Sequence, residues 1–176
     1  MSAIAVDQKI SAEDFKFAFR HHPAGVGIIT ADVGDGPVAM TVSSLASVGI
    51  NPPSLVFSAS PLSSSTQTIC AAETVVVHLL ASDQVELAKL GATSGVNRFG
   101  EGVNWSRLST GEPYYPEANS WLRGRVVNRV DVSGSTLIVV EAIEAKPREE
   151  NEDGEPAPLV YHNRKWFALG EHSALD

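Results

Sequence analysis

The residues best suited to chemistry lie in two hydroxyl-rich stretches. "MTVSSLASV" runs from Met40 to Val48 and contains Thr41, Ser43 and Ser44; "SASPLSSST" runs from Ser58 to Thr66. In the first, strand-like spacing offers hydroxyls and main-chain N–H groups side by side. The second leads into a short helical stretch, and a helix N-terminus has unpaired N–H groups and the positive end of a dipole. Together they suit a phosphate. The same residue types also cap helices and fill turns. The pattern alone leaves both readings open.

Other chemistries lack their residues. There is no G-x-S-x-G turn to make a serine nucleophilic and no G-x-x-x-x-G-K-[ST] phosphate loop. "GVGIIT" (Gly25 to Thr30) begins a strand rather than following one, which excludes a dinucleotide fingerprint. The five histidines show no H-E-x-x-H spacing, and one cysteine cannot build a thiolate zinc site. Cys70 reads as an inert buried thiol and His78, inside a Val/Leu strand, as a satisfied core histidine. Trp121 and Trp166 read as core or interface aromatics. The net charge of −8, with no basic stripe, argues against nucleic acid but not against a single bound phosphate.

These groups must be held by a mainly β framework. A helix is expected near residues 12–22, N-capped by Ser11 with Asp14 three residues on, stapled by Ile10 and Phe15, and striped by Phe15, Ala18, Phe19 and His22. "VGIITADV" and "VAMTVSSLASV" read as a hairpin about the turn Gly34–Pro37, and "SLVFSAS" as the next strand. Ser63–Ala72 reads as a short helix with hydroxyl caps, "TVVVHLL" as a buried strand, and Asp83–Leu90 as a helix capped by Gly91. Residues 91–118 lack periodicity and read as an ordered, irregular excursion. "SWLRGRVVNRVDV" and "STLIVVEAIEA" form a second hairpin, with Leu137, Val139, Glu141 and Ile143 on one face. Residues 147–158 are acidic and proline-bounded, which predicts a solvated, mobile loop. "LVYHNRKWFALG" supplies one or two closing strands. Six or seven strands and three helices, linked mostly by hairpins, predict a largely antiparallel β-barrel with peripheral helices.

The 176 residues fit one domain. A lone cysteine, no basic-then-apolar leader and no apolar run near membrane-spanning length predict a cytoplasmic protein.

The ordered set "HHPAGVGIITA…GPVAMTVSSLASVGINPPSLVFSASPLSSST", "NRFGEGVNW" and "LVYHNRKWFALG" resembles the flavin reductase-like family, whose fold is the FMN-binding split barrel. The resemblance spans nearly the whole chain. It implies that Thr41, Val42, Ser43 and Ser44 line the isoalloxazine and ribityl part of FMN or FAD. Ser58, Ala59 and Ser60 would follow the ribityl chain, and Ser63, Ser64, Ser65 and Thr66 would hold the phosphate. Arg98 and Phe99 would close over the phosphate side, and His162, with Trp166, would sit near the nicotinamide. It further implies a homodimer with flavin at the subunit junction, NADH or NADPH as electron donor, and a separate monooxygenase that receives reduced flavin. No catalytic acid or nucleophile is required, because hydride transfer is the cofactors' own chemistry.

The chain departs from the family at Ala24, Ala39 and the turn Ser133-Gly134-Ser135-Thr136, where many relatives have Gly-Asp-His-Thr. That last change bears on the nicotinamide more than on the flavin. It keeps a second reading in play, a non-catalytic flavin-binding electron carrier or store of the same fold.

Overall fold

The computed structural model describes residues 10–147 and 156–175. Residues 148–155, most of the acidic stretch expected to form a mobile loop, lie outside the described residues.

The chain opens with α1 (Ala12–Arg20). Ser11 caps it, its hydroxyl accepting the Asp14 N–H. Neither Ile10 nor any residue of α1 is buried, and Phe15 and Phe19 are more than half exposed. The apolar stripe is therefore present, and the described residues of one copy of the chain leave it uncovered.

Strands β1 (Ala24–Gly25), β2 (Gly27–Ala31), β3 (Val38–Val42), β4 (Ala46–Ile50) and β5 (Pro53–Ala59) follow. The expected single strand from Val38 to Val48 is two. The seven-stranded sheet runs β3-β2-β6-β9-β10-β5-β4, so β3 and β4 are its opposite edges. Here β6 is Thr74–Leu79, β9 Ser120–Val132 and β10 Ser135–Lys146. Ser43 to Leu45 carry the chain from one edge to the other. Ser44 Oγ accepts the Ser58 N–H at 2.9 Å, so the crossing is tied to β5, the neighbour of the second edge. A sheet whose edges meet in this way is a barrel closed at one seam. Every strand pair among the described residues is antiparallel.

Side-chain alternation explains two cores. Ile29, Ala31, Met40, Val42, Phe57, Val75, Val77, Ile138 and Val140 point into the barrel. Their neighbours Ile28, Ala39 and Leu80 face outward, under Ala88, Tyr115 and Leu159. Strand β2 is buried at all five residues because both of its faces are covered. On β10 the barrel-facing residues are Ile138 and Val140; Leu137, Val139, Glu141 and Ile143 belong to the less buried side.

Outside the barrel lie α2 (Thr66–Ala71) and α3 (Val85–Ala92). The second is entered through a short 3-10 turn at Ser82–Gln84. Gly91, expected as a cap beyond this helix, is a buried residue inside it. Residues 91–118 are ordered around a two-stranded ribbon, β7 (Ser106–Arg107) and β8 (Pro113–Tyr114), and around the buried Tyr115. The last hairpin, β11 (Leu159–His162) with β12 (Lys165–Ala168), joins β1 in a separate three-stranded sheet.

Candidate functional site

The crossing segment, the loop before α2 and the end of α3 enclose a cleft of about 490 Å³. Thr41, Val42, Ser43 and Ser44 form one wall; Ser58, Ser60 and Ser63 form a second. Gly91, Ala92, Ser94 and Arg98 complete it. Most of the residues expected to touch flavin therefore meet in one place, and Leu62, Ser94 and the two α3 residues join them.

Several hydroxyls are engaged by the protein itself. Thr41 Oγ1 donates to Ala88 O at 2.7 Å, fixing β3 against α3. That close approach requires glycine at 91: a Cβ there would collide with Thr41 Oγ1 and lie 3.3 Å from the Thr41 main-chain nitrogen. Ser65 is 1 % exposed and its hydroxyl donates to Ala39 O at 2.7 Å. Thr66 Oγ1 donates to Ser60 O. Ser65 stands at the N-cap position of α2 without a capping side-chain bond. The hydroxyl caps expected there instead pin the loop to the barrel, and it is Ser58, Ser60 and Ser63 that remain at the cleft wall. Ser64 is exposed and Ala59 is buried in the barrel core, and neither lines the cleft.

Arg98 is the cationic residue of the cleft. Its Nη2 donates to Thr93 O at 2.7 Å and its Nε to Leu90 O at 3.4 Å, carbonyls at the C-terminal end of α3. Nη1 donates to Ser65 Oγ at 3.1 Å. A cation at this end of a helix is favoured by the dipole and by the unpaired carbonyls. The guanidinium is thus held in place before any ligand arrives. Phe99, the next residue, turns away, stacking on Tyr115 at 5.5 Å and meeting Trp105 edge-on at 5.1 Å.

Two smaller recesses adjoin. One of about 190 Å³ is lined by Val26, Thr41, Val42, Ser43, Tyr161 and Trp166. Trp166 leans on Tyr161 with ring centres 4.7 Å apart. The other, of about 400 Å³, lies between α1 and the β11–β12 turn and is lined in part by Ser43, Tyr161 and His162. Ser43 is common to all three spaces. His162 and Trp166 are therefore neighbours of the main cleft rather than part of its wall.

His78 is wholly buried, and its ring partners fix its tautomer. Nδ1–H donates to Ile28 O at 3.0 Å, and Nε2 accepts the Tyr115 N–H at 3.1 Å. Burial lowers its pKa to about 4, partly opposed by the Ile28 carbonyl. It is a neutral structural group, as its place in a Val/Leu strand suggests. Among the described residues no group of three or more His, Cys, Asp or Glu side chains could hold a metal.

The sequence profile described as "Flavin reductase like domain" matches residues 19–170. The chain belongs to the flavin reductase-like family. It is similar to an NADH:FMN oxidoreductase of Rhodococcus qingshengii, with 39 % identity over 160 residues that cover 90 % of this chain and 82 % of the relative. It is 28 % identical to the reductase component of an FADH(2)-dependent resorcinol hydroxylase from Rhizobium sp. strain MTP-10005, over 89 % of this chain and 86 % of that one. Among solved structures it is similar to a flavin reductase domain protein from Arthrobacter sp. FB24, with a TM-score of 0.84, 32 % identity and coverage of 94 % of this chain and 98 % of that one. The flavin reductase-like fold thus confirms the mainly antiparallel barrel expected from the sequence.

The donor set of the cleft fits the phosphate-bearing tail of a flavin. Hydroxyls of Ser58, Ser60 and Ser63 share a wall with a guanidinium already oriented by three protein oxygens.

Proposed function

We propose that the protein is an NAD(P)H-dependent flavin reductase that binds FMN or FAD in the Ser43–Arg98 cleft and passes reduced flavin to a separate monooxygenase. The observation that carries the site is the convergence of the crossing segment, the Ser58–Ser63 loop and Arg98 on one cleft. A bound flavin supplies the acceptor for the hydride of a reduced nicotinamide. The protein's own residues bind and orient. Arg98 and the serines of the second wall hold the phosphate, with Ser64, Ser65 and Thr66 shaping the loop that presents it. Main-chain groups from Thr41 to Ser44 flank the ring system, with Ala59 buttressing Ser58 and Ser60 from the core. Phe99 packs on Tyr115, whose hydroxyl donates to the Arg98 carbonyl, and His162 and Trp166 border the side from which a nicotinamide would approach.

The similarity to a hydroxylase reductase component supports a monooxygenase partner. Two uncovered apolar features support a homodimer. Strand β4, continuous with the crossing segment, is exposed along its length, with Val48 63 % and Ile50 93 % accessible. Beside it lies an apolar recess of about 460 Å³ walled by Leu45, Leu55, Leu79, Leu80 and Leu122. A subunit seated there would place the flavin near the junction. We take residues 1–176 as a single domain. Among the described residues no helix is long and apolar enough to cross a membrane, and the unpaired Cys70 supports a cytoplasmic setting.

The test is a direct assay. Purified protein is mixed with FMN or FAD and with NADH or NADPH, and nicotinamide absorbance is followed. Turnover is expected. Flavin binding without turnover would favour the carrier reading, which the Ser133–Thr136 turn keeps open; absence of flavin binding would remove both.

A further inference from the structure

The space between α1 and the β11–β12 turn is charged in a way that the flavin cleft does not require. Its walls carry Lys16, Arg20 and Arg164 together with His22 and His162, and among the described residues no carboxylate lines it. The chain as a whole bears a net charge of −8, so this is a local reversal of sign. Lys16 is paired with Glu13 at 3.1 Å; none of the ion pairs among the described residues involves Arg20 or Arg164.

The fold brings those two arginines together by specific means. The β1–β11 pairing sets Ala24 opposite Tyr161, which brings the end of α1 to the last hairpin. The Asn163 N–H then donates to Arg20 O at 2.9 Å. Asn163 and Arg164 both have positive φ, 47° and 62°. A two-residue hairpin turn of this kind favours asparagine and then glycine. Asn163 conforms and Arg164 does not, so an arginine occupies a backbone conformation that disfavours it. Helix α1 presents its C-terminal, negative end here, so attraction for an anion must come from the side chains. Phe19 and Tyr161 in the same walls add aromatic surface. Ser43 joins the space directly to the flavin cleft.

We propose that Arg20 and Arg164 bind the phosphates of the nicotinamide dinucleotide, with the adenosine portion lodged between α1 and the β11–β12 turn. This rests on the reductase reading and names where its electron donor is held. Paired guanidinium groups suit pyrophosphate and 2′-phosphate alike.

The test uses ADP-ribose and 2′-phospho-ADP-ribose, which carry the anionic part of the donor without its nicotinamide. Binding to the full-length protein is measured by calorimetry for the wild type, Arg20→Gln and Arg164→Gln, alongside FMN affinity by flavin fluorescence and a melting curve. The wild type should bind at least one probe. Each substitution should weaken it about tenfold, as for loss of one charge-assisted hydrogen bond, and raise KM for the reduced donor while FMN affinity and melting stay within about twofold and a few degrees. Arg164→Gly keeps the turn and removes the charge, so it should weaken the probe as Arg164→Gln does. A loss confined to 2′-phospho-ADP-ribose also supports the proposal and assigns the affected arginine to the 2′-phosphate. Wild-type protein that ignores both probes, or variants that bind them as the wild type does, would overturn it whether or not FMN binds. Absence of FMN binding with the probe results as expected would instead count against the flavin cleft alone.

Discussion

Arg98 Nη1 donates to Ser65 Oγ across 3.1 Å, linking the segment after α3 to the loop before α2. Because Thr93 and Leu90 carbonyls hold the rest of the guanidinium, its position does not depend on a ligand. Arg98→Ala should weaken FMN binding by roughly 10- to 100-fold, the range for a lost hydrogen bond to a charged group. Riboflavin, which lacks the phosphate, should bind wild type and variant about equally. Fluorescence titration with both ligands checks this; an equal loss for riboflavin would place Arg98 away from the phosphate.

Gly91 and Thr41 set the distance between α3 and β3. Gly91→Ala raises helix propensity, which favours stability by up to about 1 kcal/mol. It also forces Thr41 off its bond to the Ala88 carbonyl and crowds a main-chain nitrogen that cannot retreat. Overpacking of this kind costs about 1–3 kcal/mol. The net result should be a lower melting temperature and weaker flavin binding, since Thr41 and Gly91 both line the cleft. Thermal melts and FMN titration of the variant measure the two effects.

Acid should destabilise the fold through His78 first. Its folded pKa, about 4, lies below the ordinary histidine value of 6.5. Between those values the unfolded chain binds a proton that the folded chain refuses, so stability falls as pH drops from 6.5 towards 4. The slope is about 1.4 kcal/mol per pH unit. Glu112 acts lower. Burial alone would raise its pKa, but hydrogen bonds from Thr110, Thr74, its own N–H and Arg123 outweigh that and bring it to about 2. Its contribution is present above 4.5 and is lost as pH falls towards 2. Denaturant titrations at pH 7.5, 6 and 5 should show the decline. His78→Gln should be less stable at pH 7.5 and flatter below 6.5, and an unchanged slope would remove His78 from the account.

Much of this was legible in residue order. Strand alternation, the Ser11 cap and the turns at Gly34–Pro37 and Ser133–Ser135 are local signals, and local signals decide local structure. The division of Val38–Val48 was not legible, because Ser43 and Ser44 suit a strand as well as a crossing; only the barrel's need to join its edges distinguishes them. Gly91 carries the same letter as a helix cap, and its role follows from Thr41, fifty positions earlier. The serines stand out as a group, but their types do not say which hydroxyls face the cleft. Ser65 finds the Ala39 carbonyl within reach, whereas Ser63 accepts the Ser65 N–H and stays at the cleft wall. Arg20 and Arg164 lie far apart in sequence and are brought to one space by the long-range β1–β11 pairing, which no local pattern announces.

The seam stitched by Ser44 and Ser58 has a kinetic corollary. Parting the two rims of the barrel and dismantling the proposed flavin wall are one event, because Ser43 and Ser44 of the crossing belong to both. A bound flavin would therefore slow the breathing of the whole cylinder, and release of the flavin would be timed by the least stable point of the protein's own closure.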